Sequence, residues 1–334
     1  MVAWYEHGLP AHGLLAHPLE QVRHAAPVSA PRDSVRLPLE GNPMFTMLER
    51  GMEAGQGMRL TRPLGRGAFG EVWEAVTPEG HPLALKFLEC GNRSGRVVVN
   101  EIRLLLALKH LRHPHLLQLH GVMMRTNYLI MCMERAEGSL HDLHKAYREE
   151  TGGHVPALHL CELLTQAAKA LDFLAAQRIA GVTGESGGLQ HCDVKPRNLL
   201  LIGDWLKVAD FGLCTPQLGN NASRLRIGTP MYAPPEFAEG RVTSQSDQFS
   251  LAVTYCELRT GQTPFREDHK PGRPAPADLS GLTLPERLVI SRALEPQCLN
   301  RWPSCCAFMQ ALSEAVSTSS ALTPLNRAAQ PRLS

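Results

Sequence analysis

Two short polar segments near the middle of the chain carry the residue types that phosphoryl transfer requires. The first contains Asp193, Lys195 and Asn198, and the second contains Asp210. A carboxylate can orient an attacking hydroxyl and accept its proton, a lysine can stand beside the transferring group, and side-chain oxygens are the ligands that Mg²⁺ prefers. The segments therefore predict phosphoryl transfer, with Asp193 as the base, Lys195 as the cation, and Asn198 and Asp210 as Mg²⁺ ligands.

A glycine-rich stretch upstream could hold the phosphates of a nucleotide. Glycines let the backbone approach phosphate oxygens and leave its N–H groups free to donate. A dinucleotide-binding fingerprint needs a helix after its glycines, but residues 72–76 continue as a strand, and the Gly-Lys-Ser/Thr end of a Walker A loop is missing. The pattern thus predicts a β-hairpin lying over the nucleotide. Its residues are Gly65, Arg66, Gly67, Ala68, Phe69, Gly70, Glu71 and Val72.

A lysine and a glutamate downstream of the hairpin complete the phosphate-handling set. Lys86 lies on the predicted strand 82–88, and Glu101 lies on the predicted helix 97–111. A lysine that reaches ATP phosphates must be held in position, and a carboxylate on a movable helix can hold it. We therefore expect Glu101 to pair with Lys86.

The periodicity of the chain places these residues in two unlike parts. Strands and one helix come first, followed after residue 138 by a larger, mainly helical part whose clearest helix spans 160–176. This segregation predicts an α+β fold with two lobes and a cleft between them. Regular patterns extend over residues 58–316, and we expect residues 1–57 and 317–334 to be disordered.

The composition excludes several classes of protein. The chain has 334 residues, of which 43% are hydrophobic and 20% charged, with a net charge of +2. These values are typical of a globular enzyme and give no basic surface for nucleic acid. No apolar run approaches the ~18–20 residues of a membrane helix, and no export signal begins the chain. The nine cysteines lack zinc-ligand spacing, so we expect reduced thiols in a cytoplasmic protein.

Taken together, the motifs resemble those of the eukaryotic-type (Hanks-type) protein kinase superfamily over residues 60–314, and in style its bacterial serine/threonine members. The match includes residues 191–198, the Asp210-Phe211-Gly212 triplet and the Gly-Thr-Pro-Met-Tyr-Ala-Pro-Pro-Glu run of residues 228–236. The resemblance implies the two-lobed kinase fold, with a small antiparallel sheet and one helix in the N-lobe and a larger helical C-lobe. It further implies ATP and Mg²⁺ as cofactors, and protein substrates with Ser or Thr acceptors as partners.

The resemblance also implies where the adenosine part of ATP would bind. Apolar side chains would enclose the base, Met133 would guard the back of the pocket, and backbone groups of residues 134–136 would bind the edge of the base. Ser139 would lie near the ribose. The implied set is Leu64, Val72, Ala84, Met133, Glu134, Ala136, Ser139 and Leu200.

Other positions of the resemblance imply the acceptor class and the scaffold of the site. Lys195 and Thr229 are the choices of Ser/Thr kinases, and Thr229 would hydrogen-bond both Asp193 and Lys195. The acid at position 247 would brace the catalytic loop, and Glu236 would form a structural ion pair with Arg301. A hydrophobic column joining the lobes would consist of Leu105, Leu119, His191 and Phe211.

Cys192 departs from the family pattern, because an arginine is usual before the catalytic aspartate. Two alternatives to an active protein kinase remain. A pseudokinase would bind nucleotide without chemistry, but such proteins usually lack equivalents of Lys86, Asp193, Asn198 or Asp210. A small-molecule kinase of the antibiotic-phosphorylating kind shares the fold, but usually lacks a Lys195 equivalent and the segment 229–236. The residues present favour the protein kinase.

Overall fold

The computed structural model describes residues 48–67, 70–89, 95–125, 128–179, 188–216, 228–265 and 276–322. For residues 67, 95–101 and 320–322 it describes the backbone alone. All structural features below belong to these residues.

The first part of the chain forms a six-stranded antiparallel sheet in the spatial order β1-β2-β3-β4-β6-β5, and α1 connects β4 to β5. In β4 the apolar residues Leu83, Leu85 and Phe87 pack into one core cluster, so alternation directs Ala84 and Lys86 to the opposite face. The elements are β1 (Glu53–Gly55), β2 (Met58–Gly67), β3 (Gly70–Val76), β4 (Pro82–Glu89), α1 (Gly95–Lys109), β5 (Leu119–Arg125) and β6 (Tyr128–Met133).

The second part of the chain is mainly helical. Its core is the central helix α4, in which nearly every residue is buried, packed with α3, α5 and α6. These helices bury their apolar faces against one another, and this burial supplies the main stabilisation of the lobe. The helices are α2 (Leu140–Thr151), α3 (Ala157–Ala176), α4 (Ser246–Thr260), α5 (Leu284–Ala293) and α6 (Cys305–Leu322).

Two small antiparallel sheets bring the polar segments of the sequence together. One contains β7 (Gly138–Ser139), β9 (Leu199–Ile202) and β10 (Trp205–Val208), and the other pairs β8 (Leu189–Gln190) with β11 (Thr215–Pro216). The catalytic-loop segment runs from β8 to β9, and the segment around Asp210 runs from β10 to β11. Since β8 pairs with β11 and β9 with β10, the two segments must lie side by side.

The folded region extends beyond the predicted limits of 58–316 at both ends. Strand β1 pairs with β2, and its Ala54 is buried. Helix α6 continues to Leu322, and near its end the hydroxyls of Ser317, Thr318 and Ser319 donate to carbonyls four residues earlier. The disorder expected for residues 1–47 and 323–334 concerns residues outside those described.

Within the described ranges, no helix is long and apolar enough to cross a membrane. The eight cysteines that the structure describes are free, as expected for reduced thiols. The ninth, Cys90, lies outside the described residues.

A buried ion pair ties the segment after residue 228 to the C-terminal helices. Arg301 Nη1 donates to Glu236 Oε1 at 2.9 Å and Nη2 donates to Oε2 at 2.8 Å, a bidentate geometry. The side chains are 0% and 2% exposed, and Ser246 Oγ donates to Glu236 Oε1 at 2.9 Å. The ion pair between Glu236 and Arg301 that the family resemblance implied is thus confirmed.

We predict that Arg301→Met lowers the free energy of unfolding by about 3–5 kcal/mol, because it leaves the buried Glu236 carboxylate without its cation. Urea unfolding followed by circular dichroism measures the loss. Arg241→Met is the matched control, since Arg241 pairs with the exposed Glu239 and its loss should cost about 1 kcal/mol or less. Equal losses in the two variants would contradict the role assigned to the buried pair.

Candidate active site

Asp193 lies at the centre of a cluster of hydrogen bonds, and the residue is only 4% exposed. Its Oδ2 accepts from Lys195 Nζ at 2.8 Å and from Asn198 Nδ2 at 2.9 Å. Its Oδ1 accepts from the backbone N–H of Thr229 at 3.0 Å and from the Thr229 hydroxyl at 2.8 Å. Lys195 Nζ also reaches Thr229 Oγ1 at 2.6 Å. These are the contacts of Thr229 that the resemblance implied, and they fix the plane of the carboxylate.

The backbone of the catalytic loop is held by Asp247 of α4. Its two carboxylate oxygens accept from the N–H groups of His191 at 2.7 Å and Cys192 at 2.8 Å, as expected of the bracing acid. Cys192 adopts a left-handed φ of 66°, which turns the chain sharply before Asp193. Gly228 lies against this turn, and a Cβ atom there would come within 2.2 Å of the Cys192 carbonyl oxygen. A glycine is therefore needed for Thr229 to reach Asp193.

Asp210 faces Lys86 across the cleft. Lys86 Nζ lies 2.5 Å from Asp210 Oδ1. Burial acts to raise the pKa of Asp210, but the neighbouring ammonium of Lys86, helped by the Gly212 N–H, outweighs it and holds this pKa below its usual value. Asp210 is therefore an anion at neutral pH, in contact with the lysine of β4.

The ring of Phe211, the residue after Asp210, is buried. It meets the His191 ring edge-on at a centroid distance of 5.8 Å, and it shares one core cluster with Leu105 and Leu119. His191 Nε2 donates to the Ala209 carbonyl at 2.8 Å, while its Nδ1 accepts from the Asp193 N–H at 3.2 Å. The expected hydrophobic column thus runs from α1 and β5 into the catalytic segments.

The sheet register gathers the predicted nucleotide-binding residues on one face. Val72 lies opposite Lys86, and Ala84 lies opposite Met133, and opposed residues of an antiparallel pair share a face. The chain continues as strand β3 after the glycines, as the hairpin prediction required. Gly70 has φ 137°, and a Cβ atom there would lie 1.8 Å from the Phe87 carbonyl oxygen, so only glycine fits.

Comparison with known proteins identifies the family. The family model of the protein kinase domain matches residues 58–283. The chain belongs to the protein kinase superfamily. Its relatives include a bacterial kinase, and the two-lobed fold expected from the sequence is confirmed.

Individual relatives of the kinase come from plants and bacteria. The chain is 32% identical over 255 residues to CBL-interacting protein kinase 4 of Oryza sativa subsp. japonica, which covers 71% of this chain and 53% of that protein. It is 29% identical over 276 residues to the serine/threonine-protein kinase PknF of Mycobacterium tuberculosis, which covers 77% of this chain and 56% of that one. The chain thus spans about half the length of the curated relatives it matches.

A solved structure similar to the kinase is the PknI kinase domain of Mycobacterium tuberculosis. The TM-score is 0.62 at 26% sequence identity, and the match covers 81% of this chain and 99% of that chain. The likeness therefore extends over the whole of that kinase domain.

Several of the predicted site residues have partners or positions that the sequence did not suggest. The hydroxyl of Ser139 caps α2: it accepts from the Asp142 N–H at 3.3 Å and donates to Asp142 Oδ2 at 2.6 Å, and its contact with a ribose stays a prediction. Leu64 is 36% exposed, whereas Met133 is buried and Leu200 is half-buried. The side chain of Glu101, and residues Ala68 and Phe69, lie outside what the structure describes, so their roles stay predictions.

The donor set offered by Asn198 and Asp210 fits Mg²⁺. Asn198 directs its Nδ2 toward Asp193, donating to the backbone carbonyl at 2.8 Å and to Oδ2 at 2.9 Å, which leaves its amide oxygen for another partner. Asp210 adds an ionised carboxylate. Magnesium commonly binds through one or two protein oxygens and completes its shell with phosphates and water.

Two side chains of the connector between the lobes make contacts that the sequence did not suggest, since only backbone roles were predicted there. Glu134 pairs with Lys207 of β10 at 3.1 Å, and Arg135 pairs with Glu74 of β3. The partners are far apart along the chain, and no motif relates them. The alternation in β3 places Glu74 on the same face as Val72, and this was the only sequence signal that could have indicated a role for Glu74.

We predict that Lys86→Met destabilises the kinase more at about pH 7.5 than at about pH 4.5. In the wild type the pKa of Asp210 lies below the usual 3.8. The ionised Asp210 therefore stabilises the folded state at pH values above 3.8, and this contribution is lost only as the pH falls through the folded pKa. In the variant, which lacks the ammonium, burial raises the pKa of Asp210. As the pH falls, Asp210 binds a proton and the cost of burying its charge disappears, so the variant is less destabilised.

Urea unfolding of both proteins at the two pH values measures the difference. Lys145→Met is the control, because Lys145 is exposed and pairs with Glu149 at 3.7 Å on the surface of α2. A destabilisation by Lys86→Met that is the same at both pH values would show that Asp210 does not depend on this lysine for its charge.

Proposed function

We propose that this kinase transfers the γ-phosphoryl group of Mg-ATP to serine and threonine hydroxyls of protein substrates. The observation that carries the proposal is the carboxylate of Asp193, held on both oxygens by Lys195, Asn198 and Thr229. The orientation of the carboxylate is thus set before a substrate hydroxyl arrives.

Asp193 acts as the general base in this proposal. Each carboxylate oxygen has two lone-pair directions, and the in-plane position of the group is set by donors of the protein. Each oxygen accepts two hydrogen bonds from the protein, so the substrate hydroxyl would take the place of one of these donors. It would pass its proton to the carboxylate as its oxygen attacks the γ-phosphorus and ADP leaves. Lys195, in contact with Asp193 and Thr229, would place its ammonium beside the transferring group.

The cleft side of the site would hold the nucleotide. ATP supplies the phosphoryl group, and Mg²⁺ bound to it neutralises charge on the phosphates. Asp210 and Asn198 would provide the metal's protein oxygens, Lys86 would bind phosphate, and the hairpin of residues 65–72 would cover the phosphates with its backbone N–H groups. Glu101 would hold Lys86 once Asp210 turns to the metal.

The acceptor class is supported by the contact between Lys195 and Thr229. Thr229 also donates to Asp193 directly, so the segment 228–236 lies against the carboxylate. Short side chains such as serine and threonine would bring a hydroxyl to Asp193 while their backbone stays near the segment. A tyrosine hydroxyl lies several ångströms farther from its own backbone.

Incubation of the purified protein with γ-labelled ATP, Mg²⁺ and a general protein acceptor tests the proposal. We expect phosphoserine and phosphothreonine in acid hydrolysates of the product. Predominant phosphotyrosine would overturn the acceptor class. Binding of ATP with no transfer of label would identify a pseudokinase.

Asp193→Asn should lower turnover by about 10²–10⁴-fold, since it removes the proton acceptor and keeps the shape of the side chain. ATP affinity, measured by calorimetry, should stay within about threefold of the wild type because Asp193 serves the acceptor rather than the nucleotide. Asp204→Asn, in the exposed turn between β9 and β10, is the control and should leave both quantities unchanged. Full turnover in Asp193→Asn would end the assignment of the base.

A further inference from the structure

The connector between the lobes, residues 134–137, carries two neighbouring side chains of opposite charge. Glu134 contacts two segments: its Oε1 accepts from the N–H of Gln118, just before β5, at 2.6 Å, and it pairs with Lys207 Nζ of β10, in the helical lobe, at 3.1 Å. The side chains of Lys207 and Glu134 are 17% and 23% exposed, so water only partly screens the pair.

Arg135 contacts the sheet on the other side. Its Nε donates to Glu74 Oε2 of β3. The same carboxylate accepts from the Thr61 hydroxyl at 3.0 Å and from Arg62 Nη2 at 3.0 Å, both on β2. Glu74 is therefore held in place by the strand beside it, and its side chain is only 16% exposed. An isolated surface pair is worth little, but a partly buried network with a fixed acceptor is worth more.

We propose that these two ion pairs form a double clamp, Glu134–Lys207 and Arg135–Glu74, that fixes the connector to both lobes and slows nucleotide release. The proposal rests on the proposed function, because it assumes that the adenine edge binds the connector backbone at residues 134–136. Arg135 is a positioning residue in this scheme: it holds the strand that carries Val72 against the backbone that would bind the base.

The mechanism follows from where the clamp attaches. Release of a nucleotide from a cleft between lobes requires the lobes or the covering hairpin to move apart. Such a movement would separate β3 from the connector and so would have to break the contact between Arg135 and Glu74. The Asp193 cluster uses other segments of the chain, so loosening the clamp should speed release without affecting the transfer step itself.

Arg62 supplies a matched control within the same network. Arg62 and Arg135 both pair with Oε2 of Glu74, but Arg62 joins β2 to β3 within the sheet, whereas Arg135 joins β3 to the connector. A purely structural role of the network would make the two arginines similar in their effects. A clamp between the lobes makes only Arg135 affect the release of nucleotide.

Stopped-flow release of N-methylanthraniloyl-ADP in Mg²⁺ buffer, chased with unlabelled ADP, tests the proposal on the full chain. Arg135→Met and Glu74→Gln should each speed release by about fivefold, and the double variant should be no faster than either, because neighbours in one network are not additive. Arg62→Met should stay within about 1.5-fold of the wild type. Lys207→Met should also speed release, because it frees the other side of the connector.

Unfolding in urea accompanies the kinetics and separates stability from release. Equal release rates in Arg135→Met, Arg62→Met and wild type would overturn the clamp, even if all variants were less stable. If Arg135→Met fails to fold, Arg135→Lys keeps the charge but lacks the guanidinium geometry, and its release rate should lie above that of the wild type; an unchanged rate would overturn the clamp. Failure of the wild type itself to bind the labelled ADP would instead refute the proposed nucleotide site.

Discussion

The buried carboxylate of Asp193 is the constraint on which the candidate site depends. A carboxylate that is 4% exposed is tolerated only when hydrogen-bond donors replace the water it has lost. Those donors come from Lys195 and Asn198 on its own loop and from Thr229 on a separate segment. These hydrogen bonds to Asp193 therefore order both segments. The same arrangement aligns the groups that the proposed reaction needs.

Further buried charged residues, on the helical lobe, hold these two segments in place. Asp247, on the buried helix α4, accepts from two consecutive N–H groups of the catalytic loop. The bidentate pair of Arg301 and Glu236 anchors the segment that carries Thr229. Such groups would be costly without partners, and with every partner in place they favour one arrangement of the backbone over its alternatives. The helical lobe thus serves as a rigid base for the loops.

The two lobes meet through polar contacts as well as through the hydrophobic column. Lys86 of β4 reaches Asp210, and the connector is paired on one side with Lys207 and on the other with Glu74. Each contact joins residues that a wider cleft would separate. Under the proposed clamp, opening of the cleft for nucleotide exchange would therefore break a small number of contacts between charged side chains.

The sequence by itself determined the motifs, the hairpin that continues as a strand after its glycines, and the face of β4 that carries Lys86, because short-range spacing fixes backbone path and side-chain direction. It underestimated the folded region at residues 53–57 and 317–322, where a short edge strand and a serine-rich helix end give weak patterns. It also missed the helix cap of Ser139 and Asp142, although the two residues have the spacing of a capping box; the ribose contact of Ser139 stays a prediction. The contact between Arg135 and Glu74 was decided by tertiary structure alone: the two residues are 61 positions apart, and only the register of the sheet and the path of the connector bring their charges together.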